Sequence, residues 1–219
     1  MIAPAQVEYW DRVAGAKTFG HPLDVDLLGR LAGTSARVLD CGCGYGRLSR
    51  LLREARFGVV VGVDQSLEMA RRARHAGTAV AVVDSVRLPF PDGVFDAALL
   101  FTVLTCIPSD DDQRAIVGEV ERVLRPGGVI YASDLVLQED ERNRRRYEAS
   151  AADLGIYGAF RLEGAVFRHH KEAWIEDLFS GFHLVERREI DVTTMNGHAA
   201  RGIQWIARKT AGRATVEGA

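Results

Sequence analysis

The chain is short of several things, and each shortage closes off a class of protein. Cysteine is scarce: Cys41, Cys43 and Cys106 are an odd three among 219 residues. That is no disulfide framework, and it suits a reducing compartment. No apolar run approaches the roughly eighteen residues that a membrane span needs, so no membrane partner is expected. Neither sign of charge dominates: 28 Lys and Arg face 30 Asp and Glu, for a net −2. Such a surface offers no general field for a polyanion, which argues against nucleic acid as a partner. The opening MIAPAQVEYW has neither a basic start nor an apolar stretch and does not read as a secretory signal. A cytoplasmic chain with one full core is the expectation. Internal repeats and low-complexity tracts are also missing, and nothing in the pattern speaks to oligomeric state.

What is present is an alternation of strands and helices. RVLDC is a short apolar run that ends at a glycine cluster, and GRLSRLLREA follows with Leu48, Leu51 and Leu52 at helical spacing. VVVGVD makes a second strand, and Ser66 can cap the helix LEMARRARHA behind it. TAVAVVD and FDAALLFT supply the third and fourth strands. PSDDDQRAIVGEVERVLRPGG is the clearest helix, capped by Ser109 and expected to stop at Pro126, Gly127 and Gly128. VIYASDL is the fifth strand. Strands apolar on both faces fit a parallel sheet covered by helices. Beyond residue 138 the rhythm changes to a charged stretch, a helix at KEAWIEDLFSG, and two strands joined around Asn196-Gly197.

The chemistry starts at the first turn. Asp40, Gly42, Gly44 and Gly46 spell Asp-x-Gly-x-Gly-x-Gly directly after the first strand. Glycines there let the backbone turn sharply and let a ligand lie on bare main chain. A dinucleotide fingerprint needs glycine at position 47, where this chain has Arg47. The Asp40 carboxylate would repel a pyrophosphate and suits a ligand carrying an ammonium group. Asp64 ends the second strand, where an acidic residue usually meets ribose hydroxyls. Asp84, followed by Ser85, ends the third, in position to meet adenine. Any one strand-end aspartate could be a simple cap or turn former; three opening on one crevice beside a glycine loop are harder to explain that way.

With these residues the chain resembles the class I S-adenosylmethionine-dependent methyltransferases, of the type 11-like, small-molecule group. The resemblance is strong over residues 36–135, includes LPFPDGVFDAALL and EVERVLRPGGVIYASD, and continues more weakly to 209. It implies a Rossmann-like, doubly wound α/β fold with a mainly parallel seven-stranded sheet and a C-terminal antiparallel strand pair. It also implies a single domain over 1–210: a lid at 1–30, a cofactor-binding core at 36–135, an acceptor-side insert at 136–182 and the strand pair at 183–209. Residues 211–219 are expected to be a disordered tail. S-adenosylmethionine would be the cofactor and S-adenosylhomocysteine the product. Asp40, Gly42, Gly44 and Gly46 would lie near the methionine moiety, Asp64 and Gln65 near the ribose, and Asp84 and Ser85 at adenine. Phe101 and Thr102 would flank the cofactor. Tyr9, Trp10, Lys17 and Phe19 are candidates on the lid, although a plain packing helix fits that segment equally well.

Methyl transfer asks little of side chains, because a sulfonium already activates the methyl group. Candidates on the acceptor side come from the last third of the chain: Arg168, Thr194 and Asn196 for binding, and His169, His170 and His198 as bases or orienting groups. A surface or capping role competes for each histidine. A metal site built from all three is disfavoured, because adjacent residues on a strand face opposite ways, and no metal is expected. The basic run ERNRRRYEAS could meet an anionic acceptor or simply coat a solvated helix. Cys41 and Cys43 fill the variable loop positions as bystanders, with Cys106 a distant single thiol. A small-molecule acceptor methylated on O, N or S is the favoured reading. An RNA or protein methyltransferase and a non-catalytic S-adenosylmethionine-binding protein are the alternatives. FTVLTCIP lacks the Asn/Asp-Pro-Pro-aromatic element of enzymes that methylate amino groups on bases.

Overall fold

Val38, Leu39, Asp40 and Cys41 are all buried, because strand β1 (Arg37–Cys41) lies inside a sheet covered on both faces. A computed structural model describes residues 4–83 and 87–210, and its elements are numbered here in chain order. β1 pairs in parallel with β2 (Val59–Asp64) on one side and β4 (Phe95–Phe101) on the other. β3 (Ala79–Val82) extends the sheet beyond β2, and β5 (Leu124–Leu135) extends it beyond β4. β9 (Ala199–Lys209) then runs antiparallel to β5, and β8 (Phe182–Thr193) runs antiparallel to β9. The seven-stranded order is β3-β2-β1-β4-β5-β9-β8. The fold is therefore the expected Rossmann-like α/β sheet with a terminal antiparallel pair. The order reverses between β1 and β4, which opens a crevice at the C-terminal ends of these strands.

Strand alternation divides the core between the two faces. Ala98 and Leu100 of β4 and Ile130 and Ala132 of β5 join Ile116, Val117 and Val120 of α5 (Asp110–Val123) and Ile175 of α7 (Glu172–Leu178). Ala97, Leu99, Val129 and Tyr131 face the other way, onto Leu27 and Leu28 of α2 (Val25–Ala32) and Leu48 and Leu52 of α3 (Arg47–Glu54). A third cluster involves the N-terminal helix: Tyr9, Trp10 and Val13 of α1 (Pro4–Val13) pack with Met69 of α4 (Leu67–His75) and Tyr147 of α6 (Glu141–Leu154). Phe160 and Phe167 complete it from a separate hairpin, β6 (Ala159–Leu162) and β7 (Ala165–Arg168).

Two details differ from expectation. The helix after Ser109 ends at Val123 rather than at the Pro126 turn, because Leu124 is already extended (φ −74°, ψ 135°) and begins β5. A residue preceding proline is driven out of the helical region, so Arg125 belongs to the strand as well. The β6–β7 hairpin was not foreseen. Its turn at Glu163-Gly164, with φ of 49° and 91°, lacks the Asn-Gly type of signal that marks such turns. The Ser66 and Ser109 caps are formed, with the side chains accepting from the Met69 and Asp112 amides at 3.1 and 3.3 Å.

Candidate functional site

The glycine loop is folded by contacts that leave no room for a Cβ. Gly42, at φ 71°, would place one 2.6 Å from Val103, and Gly44, at φ 54°, would place one 2.9 Å from the Phe19 ring. The Gly42 and Cys43 amides both donate to Val63 O, at 2.8 and 3.0 Å, which ties the loop to the end of β2. Gly44 N–H donates to Asp64 Oδ2 at 2.7 Å, and Ser66 N–H donates to Oδ1 at 2.9 Å. Asp64 is thereby aimed across the strand ends, and burial pushes its carboxyl up to about 6 despite the two amides. Gly46 caps α3 at φ 81° but faces Thr78 and Ala73, outside the cleft.

These residues wall a cleft of about 1010 Å³, open mouth included, that holds Asp40, Gly42, Gly44, Asp64, Gln65, Phe101 and Thr102 together with Trp10 and Phe19. Asp40 is 2% exposed, and its Oδ2 accepts from Ser49 N and Ser49 Oγ at 3.1 and 2.6 Å. One of its oxygens is thus spent on the first turn of α3, and burial raises its pKa. Gln65 Oε1 is buried with no hydrogen-bond partner among the described residues. Asp84 and Ser85, expected at adenine, lie outside the described residues. Cys41 and Cys43 also reach this wall, but both thiols are buried and protonated: burial pushes Cys41 up to about 12, and Cys43 higher. Among the described residues, no three His, Cys, Asp or Glu side chains gather as metal ligands.

A second cleft of about 990 Å³ adjoins the first, and Trp10, Phe19, Thr102 and Cys106 line both. Cys106 is thus not the distant thiol of the sequence reading: the short 3-10 turn Leu104–Cys106 brings its Sγ within 3.2 Å of Thr102 O. Thr102 itself is held at φ 58°, a strained value for a β-branched residue, with its amide donating to Ser133 O at 2.7 Å. Phe160 and Phe167 of the hairpin, Arg142 and Arg146 of α6, and His169, Thr194, Asn196 and His198 complete the second cleft.

Other expected residues are placed elsewhere. His170 is fully buried, faces Gln113 Nε2 at 3.0 Å and Leu135 O at 3.2 Å, and reaches neither cleft. His169 points the opposite way, as strand alternation requires, with Nδ1 2.6 Å from Tyr147 Oη. Arg168 pairs with Asp110 and donates to Pro108 O at 3.0 Å, away from both clefts. Tyr9 packs edge-on against Trp10 and Phe167 at centroid distances of 5.0 and 5.3 Å, and Lys17 donates to Asn196 Oδ1. The sequence reading missed Arg146, Phe160, Phe167 and Cys106. Only Arg146 had left a signal, inside the basic run.

An α/β sheet with its ligand cleft at the switch point, a tight glycine turn and an acidic end to β2 defines a nucleoside-binding protein of the Rossmann-like class. The comparisons sharpen this. Residues 39–132 match the family model described as a methyltransferase domain. The chain is 34% identical over 182 residues to the malonyl-[acyl-carrier protein] O-methyltransferase of Salmonella typhimurium, an alignment covering 73% of this chain and 70% of that protein. It is 33% identical over 175 residues to a ubiquinone biosynthesis O-methyltransferase of Xanthomonas oryzae pv. oryzae, covering 75% and 68%. A solved S-adenosylmethionine-dependent methyltransferase from Methanosarcina mazei superposes with a TM-score of 0.78 at 26% identity, covering 84% of this chain and 97% of that one. The chain belongs to the S-adenosylmethionine-dependent methyltransferases. It is an enzyme, and its cofactor is S-adenosylmethionine. The first cleft fits that group: bare backbone at Gly42 and Gly44, the Asp64 carboxylate, and an unpartnered buried Gln65 oxygen. Among the described residues, no helix is long and apolar enough to cross a membrane.

Proposed function

We propose that the enzyme methylates an O, N or S atom of a small molecule held in the second cleft. The observation that carries this reading is the shared wall of Trp10, Phe19, Thr102 and Cys106 between the two clefts. Only there can a molecule in one cleft touch a molecule in the other. Both O-methyltransferase relatives support oxygen as one of the accepting atoms.

In this reading Asp64 accepts from the ribose hydroxyls, with Gln65 beside it, and the backbone of Gly42 and Gly44 lies against the methionine part near Asp40. The cofactor supplies a methyl group already activated by its sulfonium; when bound, it would give up that methyl group and keep the C–S electron pair on sulfur. The chain's task is to hold the acceptor lone pair in line with the S–CH3 bond and to keep water out. Trp10 and Phe19 close the seam, with Phe19 stacked on Tyr45 at 5.4 Å and an interplanar angle of 14°. His169 serves as a neutral orienting group rather than a base, because burial, with Arg146 nearby, drives its pKa well below the usual value. Thr194, Asn196 and His198 sit where the acceptor would enter.

The test is incubation of the enzyme with methyl-labelled S-adenosylmethionine and a metabolite extract, followed by isolation of labelled products. Label in a small molecule supports the proposal. Label only in RNA or protein, or tight cofactor binding with no transfer across the extract, overturns it.

A further inference from the structure

Two arginines of the basic run line the second cleft, and only one of them, Arg142, makes an ion pair among the described residues. Arg142 lies 3.8 Å from Asp140, and Arg145 pairs with Glu141 on the exposed side of the helix. Arg146 is half-buried and forms no ion pair among the described residues. Its Nε is buried with no hydrogen-bond partner, and its guanidinium lies 3.5 Å above the centroid of the Phe160 ring. Its further partners are the Tyr147 side chain, whose ring centroid is 5.7 Å away, and a weak contact from Nη2 to His169 Nε2 at 3.4 Å, with the Asp140 carboxylate acting on it electrostatically. That contact uses the lone pair on Nε2, which leaves Nδ1–H to donate to Tyr147 Oη at 2.6 Å. A half-buried guanidinium without an ion pair is costly unless something negative meets it from the cleft side.

The surroundings say what that is. Arg142 and Arg146 are four residues apart on one helix, so they share a face, and both line the second cleft. The single carboxylate on that wall, Glu163, is exposed at the hairpin turn. The remaining surface beside the arginines is apolar and ring-rich, with Phe160, Phe167 and the seam residue Trp10. Neither arginine lines the first cleft, so a group docked on them lies away from the seam where methyl transfer occurs.

Resting on the small-molecule reading above, we infer that the acceptor is a carboxylate with an aromatic or similarly flat apolar body. Its carboxylate docks on Arg146, with Arg142 beside it, its body lies among the Phe160 and Phe167 rings, and a different O, N or S atom at the seam takes the methyl group. The carboxylate is an anchor and leaves the reaction unmodified. Bidentate pairing with a guanidinium fixes direction as well as position, so the far end of the molecule is delivered to Thr102 and Cys106.

The test fractionates the labelled products on an anion-exchange resin at pH 8, before and after mild base. The expected result is label in the retained, anionic fraction and stable to base. R146Q should lower transfer at limiting acceptor by at least about tenfold, the usual value of a hydrogen bond to a charged partner. It should bind S-adenosylmethionine as the wild type does, which also shows that it folds. R145Q, on the exposed side of α6, should behave as wild type. Label in a neutral or cationic product, label released by base as from a methyl ester, or an undiminished R146Q overturns the inference while leaving methyl transfer standing. No label in any fraction overturns the transfer reading, and this inference with it.

Discussion

The Gly44 amide donates to the Asp64 carboxylate across 2.7 Å, joining the glycine loop to the end of β2. The same carboxylate is proposed to take the ribose hydroxyls, so loop position and cofactor affinity depend on one side chain. Asp64→Ala should weaken S-adenosylmethionine binding by roughly 10- to 150-fold, measured by calorimetry. Because burial holds this carboxyl near 6, affinity should also fall as the pH drops below about 6 in the wild type. In Asp64→Asn it should stay flat over that range. Unchanged affinity in a folded Asp64→Ala would remove Asp64 from the cofactor site.

Gly44→Ala tests the loop itself. The backbone is left-handed there, and the new methyl would press on the Phe19 ring at 2.9 Å. Left-handed backbone alone costs an L-residue about 1–2 kcal/mol. A lower melting temperature together with weaker cofactor binding is expected. An alanine variant equal to wild type in both would mean that the Phe19 ring does not hold the loop.

The three thiols should be inert. With Cys41 pushed up to about 12, roughly one thiol in ten thousand is ionised at pH 8. Iodoacetamide on the native enzyme should therefore leave Cys41 and Cys43 unlabelled by mass spectrometry. Cys41→Ala should keep its turnover. A metal lost with that substitution would assign the Cys-x-Cys pair a role it lacks in this account.

Asp134 gives the fold a pH signature. It is 3% exposed, and burial raises its carboxyl to about 6 despite bonds from the Thr105 hydroxyl and the Thr105 and Leu135 amides. The folded state thus binds this proton more tightly than the unfolded chain, whose carboxyl titrates near 3.8. The favourable contribution is complete below about pH 4 and is lost as the pH rises through 6, a change of roughly 3 kcal/mol. Denaturant unfolding of Asp134→Asn should show a smaller loss of stability between pH 4 and 6 than the wild type. Parallel curves would show that Asp134 titrates normally.

Much of the sheet was legible because parallel strands leave unambiguous apolar runs: VVVGVD is strand β2, and FDAALLFT runs one residue past strand β4. The glycine loop was legible for a similar reason, since positive φ at Gly42 and Gly44 leaves few other residues acceptable. The second cleft was not legible. Trp10, Thr102, Arg146 and Phe160 come from four separated segments, and no local periodicity records that they meet. His169 and His170 show the boundary well. Alternation dictates that they diverge, but only the placement of β7 between β6 and the 3-10 turn decides which one enters the cleft.

The contacts of α1 and Lys17 carry a consequence for the order in which the enzyme is made. Arg12 donates to Glu163 O at 2.8 Å, Val166 N–H donates to Gln6 Oε1 at 3.2 Å, and Lys17 reaches Asn196. Residues of α1 and Lys17 therefore meet partners that lie some 150 to 180 residues later in the chain. β1 to β5 and the glycine loop all precede those partners in the chain. Gln6 and Arg12 find their partners once the β6–β7 hairpin exists, whereas a chain interrupted before residue 196 has nothing for Lys17 to donate to.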